Sequence, residues 1–107
     1  LRQQLDFMSN SLQLPPAAER DEKSVEMLRV WIAEQGCHAV LNIGFWEERA
    51  DERDAWGVML ADVVRHIADA HQERYGREAG DTIQRVKDAI NRELVDPTSD
   101  VTGTFAE

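Results

Sequence analysis

The stretch Asp54–Tyr75, DAWGVMLADVVRHIADAHQERY, repeats apolar residues at the period of an α-helix, and a helix with such a stripe needs a cover. On a helical wheel Trp56, Met59, Leu60, Val63, Val64, Ile67, Ala70, His71 and Tyr75 share one broad face. The opposite face is polar. There Asp62 reaches Arg65 at i+3, and Arg65 reaches Asp69 at i+4. Asp51 or Asp54 suits the start, where orphan N–H groups face a side-chain acceptor, and Gly76 suits a left-handed stop.

Ahead of this helix, the runs Val25–Ala33 and Cys37–Phe45 are rich in β-branched residues and separated by Gln35-Gly36, which predicts a hairpin. With Gln35 and Gly36 at the centre of the turn, Ile32 faces Ala39, Val30 faces Leu41 and Leu28 faces Ile43. Those six form an apolar face that the long helix is expected to cover. The reverse face carries Ala33, His38, Trp31, Val40, Arg29, Asn42, Met27 and Gly44 and is half apolar. A third stripe, Ala79, Ile83, Val86, Ile90 and Leu94, predicts a second helix over about Asp81–Leu94, with Asp81 and Gln84 as a capping box and Asp96-Pro97 as its stop.

The expected fold class is therefore α+β: an antiparallel β-hairpin followed by two antiparallel helices (ββαα). A two-stranded sheet is not stable alone, so the sheet is expected to be completed or covered in a homodimer. The organisation expected is an N-terminal arm or leader over 1–14, one α+β domain over 15–96 and a loop-like tail over 97–107. Met8 is a candidate natural start. Leu1, Leu5, Met8 and Leu12 are spaced for a short helix or arm packed on a neighbouring chain. Pro15-Pro16 ends that element, and Ala17–Ser24 reads as a turn of helix or a connector.

With 12 Lys and Arg against 21 Asp and Glu, the formal net charge of -9 repels nucleic acid and anionic membranes, and no nucleic-acid or membrane partner is expected. No apolar run approaches the roughly 20 residues of a bilayer span. The lone Cys37 makes no intrachain disulfide and no secretory pattern opens the chain, so the expected compartment is the cytoplasm.

Chemical motifs are scarce. Asp62 and His66 lie one helical turn apart, a spacing that orients an imidazole, and with Arg65 and His38 they are the candidate binding residues. Two groups do not complete a metal site, which takes three or four ligands, so neither metal nor cofactor is expected. Cys37 and His38 alternate across the strand, which makes them a poor dyad, and no catalytic residue is assigned. His71 is expected at the core edge, with a ring nitrogen bonded to a backbone carbonyl. The candidate interface residues are Trp31, Val40 and Met27 on the sheet's reverse face and Trp46 in the acidic loop that follows.

The segments LQLPPAA, VEMLRVWI and DAWGVMLADVVRHIADAH, followed by a short helix ending in DPT, resemble a family of small alphaproteobacterial proteins, domain of unknown function 5076, over about Leu12–Gly103. The resemblance implies a bacterial cytoplasmic setting and assigns no site. The function expected is a non-catalytic, acidic interaction or regulatory module acting as a homodimer, with a further protein partner. The alternative is a small-molecule or metal-binding protein, an enzyme included, that uses the Asp62/His66 helix face.

Overall fold

The structure, a computed structural model, describes residues 10–49 and 51–106. It is a mixed α+β arrangement in the order α1 (Pro16–Arg20), β1 (Leu28–Ala33), β2 (Gly36–Asn42), α2 (Glu52–Tyr75), α3 (Ala79–Val95) and β3 (Val101–Ala106). Of the N-terminal arm or leader expected over residues 1–14, residues 1–9 lie outside the described residues. Leu12, within them, is 96% exposed.

The hairpin forms, with a different register. Leu28 pairs with Leu41, Val30 with Ala39, Trp31 with His38, Ile32 with Cys37 and Ala33 with Gly36. The turn is centred on Glu34 and Gln35, with φ of 52° and 66°, the left-handed pair a primed turn demands. Gly36 is thus the first residue of β2 rather than a turn residue. The slip is two residues in the pairing sum, an even number, so every side chain keeps its expected face.

The tail is corrected more substantially. Val101–Ala106 is a strand, not a loop, and pairs parallel with β2 to give the sheet order β1-β2-β3. Gly103 permits this. Its φ is 149°, and a Cβ there would sit 1.8 Å from the Ala39 carbonyl oxygen, so only glycine admits so close an approach of the two strands. The ββαα expectation thus becomes a hairpin, a helical pair and a returning third strand, with the single turn α1 ahead of them.

Helix α2 starts at Glu52, where the Asp51 side chain accepts the Arg53 N–H, and stops at Gly76 with φ 69°. Helix α3 starts two residues before the expected Asp81. Its cap is Glu78, whose carboxylate accepts the N–H groups of Gly80 and Asp81 at 3.0 and 2.8 Å, while Gln84 bonds Asp88 instead of closing a capping box. The two helices pack where side chains are small. Ala68 is fully buried and Thr82 is 8% exposed, and Val64, His71, Val86 and Ala89 are half-buried around them.

The expected cover of sheet by helix is absent. No Cα of α2 or α3 lies within 8 Å of a Cα in the sheet, and Ala68 is the only buried apolar residue among those described. The radius of gyration is 16.2 Å, against about 13 Å for a compact chain of this length.

Candidate functional site: two uncovered apolar layers

Alternation along three strands sorts the sheet into two faces. One carries Leu28, Val30 and Ile32 from β1, Cys37, Ala39 and Leu41 from β2, and Val101, Gly103 and Phe105 from β3. It has no charged or strongly polar side chain. Ile32 is 79% exposed, Phe105 71%, Val101 66% and Val30 50%, so the periphery of this face is bare.

The other face is more self-contained. The His38 Nε2–H donates to the Ala33 carbonyl at 3.0 Å, and Nδ1 meets the Thr102 hydroxyl at 2.7 Å. His38 thereby ties β2 to both neighbours, and Trp31, paired with it across the ladder, is half-buried. Val40 lies on this face and is exposed; Met27, just before β1, is half-buried and its carbonyl accepts the Asn42 N–H.

Helix α2 holds the second layer. Its stripe divides lengthwise: Val64, Ala68 and His71 turn toward α3, whereas Leu60, Val63 and Ile67, on the adjoining side of the same stripe, remain exposed. Toward the N-terminus the stripe meets the loop. Trp46 packs edge-on against Trp56 with ring centroids 5.7 Å apart, and Phe45 against Trp46 at the same distance. Glu52 anchors this cluster through one oxygen, which accepts the Gly44 N–H at 2.7 Å and the Trp56 indole N–H at 3.3 Å. That role was hidden in the sequence, where Glu52 is one of a run of acidic residues; the Trp at i+4 was its only signal. Asp51 is likewise engaged, holding Arg53 through both carboxylate oxygens at 2.9 and 2.6 Å, and the Arg53 side chain keeps its carboxyl below the usual carboxylate value.

The polar candidates do not converge. Asp62 pairs with Arg65 on the exposed face of α2, and His66 is exposed beside them. His38 is in the sheet. Among the described residues no three His, Cys, Asp or Glu side chains are placed to share a metal ion.

A cleft of about 570 Å³ opens where α2 turns into α3, bordered by Ile67, His71, Arg77, Thr82, Arg85 and Val86. Arg77 lies 4.7 Å from the Tyr75 ring centroid and donates to His71 Nδ1 at 3.0 Å. The His71 partner is thus this guanidinium rather than a backbone carbonyl. Glu78 and Asp81 also border the cleft, and Glu78 is committed to its cap.

Among solved structures, the chain is similar to a putative pyruvate dehydrogenase from the photosynthetic bacterium Rhodopseudomonas palustrus CGA009, with 25% identity and a TM-score of 0.61 over 83% of this chain and 87% of that one. No curated protein matches the chain significantly. No helix among the described residues is long and apolar enough to cross a membrane. The model of the domain of unknown function DUF5076 matches residues 11–98, taking in α1, the hairpin and both helices and stopping short of β3. With most of its length matched, the chain belongs to the DUF5076 family.

Proposed function

We propose that this chain is a non-catalytic, acidic interaction module whose working form is a homodimer. The observation that carries the reading is surface. The chain exposes 9775 Å², whereas a compact monomer of 12.2 kDa exposes about 6,100 Å². An excess of about 3,700 Å² is well beyond the roughly 800 Å² per partner of a standard interface and belongs with obligate dimers. Much of it is apolar, on Ile32, Val101 and Phe105 of the sheet and on Leu60 and Leu94 of the helices among others, and large exposed apolar faces mark association sites. The net charge of -9 keeps such dimers soluble and favours a basic surface on any further protein partner. Sedimentation velocity tests the reading directly: a dimer at low micromolar concentration is expected, and a clean monomer throughout the micromolar range would remove it. The activity in the name of the Rhodopseudomonas protein stays with that protein.

A second reading is small-anion binding in the cleft between the helices. It is favoured by Arg77 and Arg85, both on the cleft and neither within 4.0 Å of a carboxylate among the described residues. Titration with inorganic phosphate or a small dicarboxylate, followed by amide shifts at Arg77–Val86, tests it; shifts that persist in Arg85→Ala would count against it.

A further inference from the structure

The sheet face and the α2 stripe are complementary layers of one chain that do not meet within it. We infer that they meet between chains: Leu60, Val63 and Ile67 of each copy lie on the Val30, Ile32, Val101 and Phe105 face of the other, giving a reciprocally exchanged homodimer. The inference rests on the homodimer reading above and names its interface.

Three observations select this arrangement over others. Packing one sheet face on its copy would cover the strands and leave both α2 stripes in water, and packing helix on helix would leave both sheet faces bare; exchange covers all four surfaces with one two-fold axis. The dimensions agree. Leu60 to Ile67 spans about 10 Å of helix axis, and a three-stranded sheet measured across its strands is also about 10 Å wide. The area agrees too, because the excess surface of each chain is that of a subunit interwoven with its partner rather than touching it at a rim. Strand β3 belongs to this interface although it lies beyond the family match, which ends at residue 98, since Val101 and Phe105 widen the receiving face from two strands to three.

The lone cysteine is a ready-made reporter, since Cys37 lies on the receiving face opposite Ile32. Untagged protein is refolded together with a tagged chain carrying Cys37→Ala and one of Leu60→Cys, Val63→Cys or Ile67→Cys, and the mixture is treated with a short bis-maleimide. Circular dichroism and sedimentation of each variant identify those that fold and dimerise. A cross-link between tagged and untagged chains, several times stronger than any Cys37–Cys37 product and lost in Cys37→Ala for both chains, is the expected result. A predominant Cys37–Cys37 product would overturn exchange in favour of stacked sheets. An intrachain link in a chain bearing both Cys37 and Leu60→Cys would overturn it in favour of closure within one copy, and a folded dimer with no link at any of the three positions would overturn it as well. A monomer by sedimentation would instead remove the homodimer reading itself, so the two failures are distinct.

Discussion

The helical pair and the sheet satisfy their backbones equally well and their side chains very differently. Both helices are capped at each end by groups close in sequence, Asp51 and Gly76 for α2, Glu78 and Asp96 for α3, and they meet over a seam of small residues at Ala68 and Thr82. The sheet completes its ladders on both sides of β2, yet no Cα of α2 or α3 comes within 8 Å of a Cα in it and the rim of its apolar face is exposed. Hydrogen bonding makes each unit regular, and burial makes a fold stable. The helical pair carries part of both within one chain; the sheet, in the homodimer proposed here, borrows the second from another copy.

That contrast is breakable at several strengths. Placing a charge on either surface of the proposed interface, by Ile32→Asp or Leu60→Asp, should have the largest effect. Each loses the burial of a large aliphatic side chain, worth about 2 kcal/mol, twice per dimer. Sedimentation equilibrium should therefore register dimer association weakened by on the order of 1,000-fold, while Leu12→Asp, on an exposed side chain outside the proposed interface, should change little. Next, Gly103→Ala should detach β3 from β2, because the new methyl cannot share space with the Ala39 carbonyl. The strain and clash amount to about 2–3 kcal/mol, and hydrogen exchange at Thr102–Phe105 should accelerate on the order of 100-fold while the α2–α3 seam at Ala68 stays protected. The converse test is Ala68→Leu. Overpacking the helical seam should cost about 1–3 kcal/mol and lower the melting temperature, leaving the β1–β2 hairpin protected; equal loss of protection in both regions would abolish the distinction between them.

The smallest effect expected is electrostatic. The backbone N–H groups of Asp81 and Gly80 hold the Glu78 carboxyl below its ordinary value of 4.5. Because the unfolded chain takes up this proton more readily, the stabilisation is complete above about pH 4.5 and is lost as pH falls through the lower folded value. Glu78→Ala should lower the melting temperature by less than about 5 °C at neutral pH. The difference from the parent protein should shrink on acidification below pH 4.5; a constant difference would show that the cap acts without its charge.

Much of the local architecture was readable without coordinates. The 3.6-residue stripe placed α2 to within two residues at its start and at Gly76 at its end, and the β-branched runs placed the hairpin. The register was not readable, because Glu34 and Gln35 adopt left-handed conformations usually left to glycine while the adjacent Gly36 begins a strand. Strand β3 was not readable either. Val101–Ala106 is short, partly polar and interrupted by glycine, and its only local merit is that Gly103 fits against Ala39. Of the candidate site residues, Asp62 and Arg65 are neighbours on one helix face by their spacing alone, while the engagement of His38 with Thr102 depends on a strand 64 residues further on.

The sequence by itself determined which side chains share a face, since period 2 in a strand and period 3.6 in a helix are local properties of the backbone. It thereby made the α2 stripe and the Ile32 face apolar whatever the hairpin register. Only the tertiary structure decided that these two layers stand apart within one chain and that a third strand joins the sheet. The long apolar stripe of α2 called for a cover from the outset, but dispersion and water exclusion are indifferent to chain connectivity, so a pattern of apolar residues specifies that a face must be covered without specifying which element, or which copy, covers it.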